Sequence, residues 1–331
     1  MKKTLLTLAL LGALPAAAAT PQAEKLDRGL IAVKAESGVF VSWRSLTSDN
    51  PGMTFDLYRD GVKVNRAPIT EGTNYPDTRG KTTTQYYVTA SVDGTVVETT
   101  PVVGVEPEPY IRLTLDRPEG GTTKSGEKYT YSPNDCSVGD VDGDGRYEIF
   151  VKWDPSNSHD NSEGGYTGNV YIDCYTLEGE KLWRIDLGQN IRAGAHYTQF
   201  MVYDFDGDGR AEMVCKTAPG TKDGDGKYVI MGNDDPTKSY VSDNSGTRRG
   251  QVISGPEYLT IFNGATGAEI HTVAYEPARS VRTSDQWGDA YGGRSERYLA
   301  CVAYLDGIHP SVVMCRGYYT AAYLCAWDFD G

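Results

Sequence analysis

Asp140-Val141-Asp142-Gly143-Asp144-Gly145-Arg146-Tyr147-Glu148 and Asp204-Phe205-Asp206-Gly207-Asp208-Gly209-Arg210-Ala211-Glu212 are one nine-residue pattern, D-x-D-G-D-G-x-x-E, written twice. Carboxylates at positions 1, 3, 5 and 9, with a backbone carbonyl at 7, are the hard oxygen donors that Ca2+ prefers, and glycine at 6 permits the sharp turn that gathers them. An EF-hand would carry a bidentate glutamate at position 12 between two helices. Here position 12 is Val151 or Cys215, inside an apolar run of β character. Four carboxylates within nine residues repel one another unless a cation lies among them. The pattern therefore reads as a calcium loop between strands, of the kind found in integrin-type propellers, in preference to a solvated acidic turn.

Working outward, the same frame occurs a third time. Asp142-Gly143 is followed nine residues on by Val151-Lys152, Asp206-Gly207 by Cys215-Lys216, and Asp306-Gly307 by Cys315-Arg316. The third copy, Asp306-Gly307-Ile308-His309-Pro310, has lost the acids and is expected to bind no metal. Each copy leads into an apolar strand and a turn, followed in the first two by a second strand: VYIDCYTLEGEKLWRIDL (170–187), YLTIFNGATGAEIHTVAY (258–275) and AYLCAWDFDG (322–331). Strand–turn–strand repeats with variable insertions and no helical period are the signature of a β-propeller, one unit per blade. Asp330-Gly331 aligns with the mid-hairpin turns Glu178-Gly179 and Thr266-Gly267. Three units also fall short of the roughly four to eight blades of such folds. The expectation is thus an incomplete propeller over 109–331, the record of a fragment. Asp223-Gly224-Asp225-Gly226 offers two more carboxylates, Asp223 and Asp225, readable as ligands or as a plain turn.

Ahead of the repeats, GLIAVKA (29–35), VFVSWRS (39–45), FDLYRDG (55–61), TQYYVTASV (84–92) and VVETTPVVGV (96–105) alternate like short strands, with Asp-Gly turns at 60–61 and 93–94. This predicts a small β-sandwich of fibronectin type III character over 24–108, with Trp43 in its core and Tyr86 or Tyr87 as a late-strand tyrosine. Pro101, Pro107 and Pro109 punctuate the linker. Lys2 and Lys3, the apolar run Leu5 to Leu14 and Ala17-Ala18-Ala19 read as a signal peptide over 1–19, hence a secreted or periplasmic chain. No segment is long and apolar enough to span a bilayer. Against 32 Lys and Arg stand 45 Asp and Glu, a net charge of −13, which argues against a nucleic-acid partner. A monomer is expected. The six cysteines lack zinc-site spacing, and Cys215, Cys301, Cys315 and Cys325 lie in apolar runs that favour buried thiols over disulfides.

Loops at one end of such sheets are where a ligand binds. Ser132-Pro133-Asn134-Asp135 precedes the first acidic loop, and Lys152-Trp153-Asp154-Pro155 ends the strand after it. Trp153 reads equally as a sugar platform or as core, and Asn134 as a sugar contact or a turn former. His196 and the 282–297 segment, with Trp287, Asp289, Tyr291, Arg294 and Arg297, face an acidic substrate or merely pair with carboxylates.

The runs SPNDCSVGDVDGDGRYEIFVKWDPSNSHDNSEGGYTGNVYIDCYTLEGEKLWRIDLG, AGAHYTQFMVYDFDGDGRAEMVCKTAPGTKDGDGK, SGPEYLTIF, WGDAYGG and YLDGIHPSVVMCRGYY strongly resemble rhamnogalacturonan lyases of polysaccharide lyase family 11, as does RGLIAVKAESGVFVSWR in the first domain. The resemblance implies an all-β chain, a small β-domain ahead of an eight-bladed propeller rich in Ca2+. It implies as substrate the rhamnogalacturonan I backbone of pectin. Carried over by position, Asn134 and Asp154 match rhamnose contacts; Asp135, Asp140, Asp142, Asp144, Arg146 through its carbonyl and Glu148 match one calcium site, and Asp204, Asp206, Asp208, Arg210 and Glu212 the next. The implied reaction is β-elimination: a cation on the C6 carboxylate acidifies C5–H, a base removes the proton, and the 4-linked rhamnose leaves. Lys152, His196 and Arg294 are candidate bases by residue type, and the catalytic group stays unassigned. The competing reading is a calcium-dependent polysaccharide-binding or adhesion propeller without chemistry.

Overall fold

The protein is seen in a computed structural model that describes residues 21–22 and 25–331. The signal-peptide reading of 1–19 and the expected domain start at 24 lie outside the described residues. Among these, helix is confined to the four-residue Ser284–Trp287 and two 3-10 turns; the rest is strand and loop.

Eight strands come first: β1 (Ile31–Lys34), β2 (Val39–Ser42), β3 (Thr54–Arg59), β4 (Val62–Lys63), β5 (Asn74–Asp77), β6 (Tyr86–Val92), β7 (Thr95–Thr99) and β8 (Val105–Glu106). They form two sheets, ordered β5-β2-β1-β8 and β4-β3-β6-β7. Residues two apart point the same way along a strand, so Val39 and Val41 of β2 and Tyr86, Val88 and Ala90 of β6 share one core with Trp43, Phe55 and Leu57. Tyr86 is the core tyrosine: its hydroxyl donates to Asp77 Oδ2 at 2.8 Å, and Arg59 closes on the same carboxylate. Tyr87 instead stacks on Tyr58 outside that core. Two strands depart from the expected pattern. The run 96–105 breaks after Thr99, ahead of Pro101, and β8 crosses to the other sheet, parallel to β1 with Ala32 opposite Val105. β5 contains Pro76, tolerable because β5 is an edge strand.

A short ribbon, β9 (Gly121–Thr122) with β10 (Lys128–Tyr129), leads into three antiparallel meanders. These are β11 (Tyr131–Gly139), β12 (Glu148–Pro155), β13 (Tyr171–Tyr175) and β14 (Lys181–Asp186); β15 (Phe200–Tyr203), β16 (Glu212–Thr217), β17 (Tyr258–Asn263) and β18 (Glu269–Ala274); and β19 (Tyr298–Ala303), β20 (Ser311–Arg316) and β21 (Tyr323–Asp328). Their first strands adjoin, β11 beside β15 and β15 beside β19. The middle sheet is buried on both faces, which is why EMVCKT lacks a polar alternation. Met213 and Cys215 pack towards Phe150, Cys174 and Trp183 of the first sheet, and Val214 towards Val312 and Met314 of the third.

The three repeated Asp-Gly loops all lie at one end of these sheets, and the N-terminal domain docks there. Arg44 donates to the Gly145 carbonyl at 3.2 Å and covers the Tyr147 ring at 4.6 Å. Gly207 lies against the Gln22 side chain, and Gln22 N–H donates to the Ile308 carbonyl at 2.7 Å. No disulfide joins the six cysteines; Cys174, Cys215 and Cys315 are buried, but Cys301 is exposed, contrary to its apolar context, because β19 turns that side outward.

At the opposite end, five charges are buried together. Glu257 meets Lys216 (2.9 Å), Arg279 (3.2 Å) and Arg316 (2.5 Å), and Glu296 meets Arg279 (3.0 Å) and Arg316 (3.2 Å). Burial pushes the Glu257 carboxyl up, but Lys216, Arg279 and Arg316 override it and hold it well below the carboxylate range. Glu257→Ala leaves three buried cations with one carboxylate. We expect a loss of about 3–5 kcal/mol, read as a lower denaturant midpoint; an unchanged midpoint would remove the network's stabilising role.

Candidate functional site

Each acidic loop is built around its first aspartate. Asp140 is buried and accepts from Gly143 N–H at 2.7 Å through Oδ1 and from Gly145 N–H at 2.8 Å through Oδ2. Asp204 does the same with Gly207 (2.7 Å) and Gly209 (3.0 Å). Gly143 and Gly145 take φ of 80° and 88°, a turn that side chains resist. Asp142 and Asp144 cap the next amides, and Glu148 accepts from Val141 N–H at 3.0 Å, as Glu212 does from Phe205 at 2.8 Å. The outcome is that carboxylate oxygens of Asp140, Asp142 and Glu148 lie within 4.8 Å of one another, and those of Asp204, Asp206 and Glu212 likewise. Burial pushes the Glu212 carboxyl up to about 8, with Asp206, Asp204 and Asp208 adding to it and the Phe205 amide opposing. Glu148 and Asp204 are raised for the same first reason, burial. A set of all-oxygen donors whose ionised form is disfavoured by burial and mutual repulsion fits a hard cation, so either group could hold a metal ion. Asp144 and Asp208, and the carbonyls of Arg146 and Arg210, belong to the same two loops but not to these three-carboxylate groups.

Three further expected ligands sit elsewhere. Asp135 is paired with Lys152 Nζ on the body of the sheet. Asp223 accepts from the N–H groups of Asp225 (3.0 Å) and Lys227 (2.9 Å) through Oδ1 and of Glu269 (3.2 Å) through Oδ2. Asp225 pairs with Lys227 at 2.8 Å. That segment is a tight turn, and its carboxylates form no three-carboxylate group among the described residues.

Asn134 and Asp154 come together through a β-bulge. β11 and β12 pair Pro133 with Trp153 and then Cys136 with Val151, so Asn134 and Asp135 together face Lys152. Such a bulge re-aims side chains. Asn134 Nδ2 donates to Asp154 Oδ2 at 2.7 Å, while Asp154 Oδ1 is buried with no hydrogen-bond partner among the described residues. Burial pushes the Asp154 carboxyl up, against Lys152 and Asn134. Trp153 is core: it is 1 % exposed and its indole N–H donates to Asp173 at 2.8 Å. The pair lies six residues along β12 from Glu148, about 20 Å at the strand rise. The acidic loops and the Asn134–Asp154 pair therefore occupy opposite ends of the sheet.

None of the three candidate bases stands free. Lys152 is buried against Asp135. Arg294 donates to Thr320 Oγ1 at 2.6 Å and the Trp287 carbonyl at 3.2 Å. His196 has Arg297 at Nε2 and Asp160, a partner that sequence reasoning missed, 3.3 Å from Nδ1. Burial, then Arg297, lower its pKa. Asp160 lies in the 156–170 loop, and only folding brings it to His196.

A carboxyl that binds its proton more tightly folded than unfolded adds stability that is lost as pH rises through the gap. For Glu212 that gap runs from 4.5 to about 8. We expect cation-free protein to lose stability across this window, Glu212→Gln to lack that contribution, and a saturating divalent cation to remove it. Melting temperatures against pH test this. A chelator should also lower the melting temperature, since a ligand of the folded state alone stabilises it; an identical melt in excess chelator would refute cation binding.

Comparison with known proteins bears on both halves. Residues 110–331 match the family described as "Rhamnogalacturonan lyase family 11, C-terminal domain", and 21–105 "Rhamnogalacturonan I lyases beta-sheet domain". Rhamnogalacturonan endolyase YesW of Bacillus subtilis is 54 % identical over 333 residues, 99 % of this chain and 52 % of the relative. Rhamnogalacturonan exolyase YesX of the same organism is 53 % identical, over 93 % of this chain and 48 % of the relative. A solved Bacillus licheniformis rhamnogalacturonan lyase superposes with a TM-score of 0.85 at 54 % identity, over 95 % of this chain and 52 % of that one. The chain thus spans about half the length of the curated relatives it matches. With both segments matched and identity sustained across nearly every residue, the chain belongs to rhamnogalacturonan lyase family 11.

Proposed function

We propose that this chain belongs to a secreted lyase acting on the rhamnose–galacturonate backbone of rhamnogalacturonan I, with its three meanders as blades of a calcium-binding propeller behind a fibronectin-like domain. The observation that carries the substrate reading is the Asn134–Asp154 pair. It offers an exposed amide and, beside it, a buried carboxylate oxygen lacking a donor. A sugar hydroxyl supplies that donor, and a hydroxyl bridging an amide and a carboxylate is held by charge-assisted hydrogen bonding. In this reading Asn134 and Asp154 bind rhamnose, and Lys152 holds Asp135 and the bulge in place.

Calcium would be held by Asp140, Asp142 and Glu148, and by Asp204, Asp206 and Glu212. When bound there it supplies charge neutralisation, which lets the buried carboxylates ionise together. Those loops lie far from the sugar-binding pair, so their role is to brace the fold. The C5 proton of galacturonate is assigned to none of Lys152, His196 or Arg294, because each is engaged by a neighbour. That same observation favours a second reading, polysaccharide binding without chemistry by the residues of this chain.

Absorbance of 4,5-unsaturated uronate released from rhamnogalacturonan I separates the two, since only a lyase creates it. Binding of saturated rhamnogalacturonan oligosaccharides is measured in parallel. A lost hydrogen bond to a charged group is worth about 1.5–3 kcal/mol, so we expect Asp154→Asn to weaken oligosaccharide binding by roughly ten- to a hundredfold. Equal affinities in wild type and variant would remove Asp154 from the contact.

A further inference from the structure

The two acidic loops repeat one sequence pattern but are held in place differently. In the first, the peptide between Gly145 and Arg146 is fixed from both sides. Arg146 N–H donates to Asp144 Oδ1 at 2.7 Å, and the Gly145 carbonyl accepts from Arg44 of the N-terminal domain at 3.2 Å. The same guanidinium lies 4.6 Å from the centroid of the Tyr147 ring. Arg146, whose carbonyl is the backbone donor expected at position 7, thus sits between two residues gripped by one side chain from the other domain. The domains meet closely there: a Cβ added at Gly145 would lie 3.0 Å from Asp27 Cβ.

In the second loop the residue that matches Tyr147 is Ala211, which has no ring to offer a guanidinium. It is buried, and its N–H donates to the Asp140 carbonyl at 2.7 Å, so the second loop leans on the leading aspartate of the first. Arg44 is itself anchored. It reaches the Asp27 carbonyl at 3.3 Å and Asp27 Oδ1 at 3.2 Å, and its N–H donates to the Arg28 carbonyl at 2.6 Å. The Asp27 carboxylate balances the guanidinium charge, so Arg44 brings the loop fixed geometry more than repulsion of a cation. Rigidity of the donor set raises the affinity of a hard-cation site, because less ordering is left to be done on binding.

We infer that the N-terminal domain sets the cation affinity of the first loop, with Arg44 as the positioning residue, and that a cation held there tightens the docking of that domain in return. The two states are the domain seated on Gly145 and Tyr147 and the domain released from them. The return effect is the thermodynamic reciprocal of the first, since two binding events linked by one free energy strengthen each other by the same factor. The second loop, which lacks this grip, does not share the dependence on Arg44. The inference rests on the calcium reading of the loops given above.

The test is calorimetric titration of calcium chloride alone into the cation-free full chain. Glu212→Gln weakens the second loop and leaves the first, and Glu148→Gln does the reverse. Adding Arg44→Ala to the Glu212→Gln chain should lower its calcium affinity by at least about fivefold, the lower end of typical coupling between sites. Added to the Glu148→Gln chain it should change affinity by less than about twofold, as for independent positions. Arg44→Lys keeps the charge and a donor for the carbonyl, and should recover part of the loss. Hydrogen exchange over 25–30 and 43–48 reads the reciprocal effect: calcium should slow it in Glu212→Gln but not once Arg44→Ala is added. Equal losses in both backgrounds would make Arg44 a general support of the fold, and no loss in either would detach it from the loop; each outcome overturns the inference. The calcium reading fails separately. Calcium uptake that depends on Glu148 and Glu212 but not on Arg44 keeps the loops as cation sites and removes only the coupling, whereas no uptake by the wild type removes both.

Discussion

Asp140 and Asp204 each spend both carboxylate oxygens on backbone N–H groups of the glycine turn that follows, and that bonding fixes where the remaining acids of each loop point. Once the turn is fixed, Asp142 and Glu148, or Asp206 and Glu212, have little choice but to converge on the buried aspartate. The convergence costs charge repulsion in a desolvated setting, which a cation held there would offset. The same turns form the platform on which the N-terminal domain rests, through Arg44 on the Gly145 carbonyl and the segment at Gln22 against Gly207 and Ile308. The third loop has lost its acids yet keeps its contact, because what the N-terminal segment reads there is a backbone carbonyl. Any weakening of the acidic turns therefore reaches the domain interface directly.

The other recurring element is a basic residue in the second half of the second strand of each sheet: Lys152, Lys216 and Arg316, all buried. Their partners differ. Lys216 and Arg316 meet Glu257, which is itself buried, so their charges are consumed in holding the second and third sheets together. Lys152 meets Asp135, which faces solvent on a bulge beside Asn134 and Asp154. One repeated position thus serves packing in two sheets and holds a bulge beside Asn134 and Asp154 in the first.

What could be read from the sequence follows from how local each feature is. The nine-residue acidic pattern, the strand alternation of 39–42 and the Asp-Gly turns are encoded within a few residues and appear where expected. The network around Glu257 draws on residues 216, 257, 279, 296 and 316, and no spacing announces it. Asp160 meets His196 for the same long-range reason. β5 was hidden by Pro76, which only an edge strand admits, and β8 by a crossing that no local pattern records. Trp153 was ambiguous by composition and is settled by Asp173, a buried acceptor twenty residues away in sequence.

The arrangement also shows where a chain of net charge −13 places its acids. The densest acids, two loops of four carboxylates, lie about 20 Å along the strands from the Asn134–Asp154 pair. That separation exceeds the Debye length of roughly 8 Å at physiological ionic strength, so their field at the Asn134–Asp154 end is weak. Net charge therefore misstates the local balance: the densest acids are gathered at the end where the N-terminal domain docks, away from the Asn134–Asp154 pair.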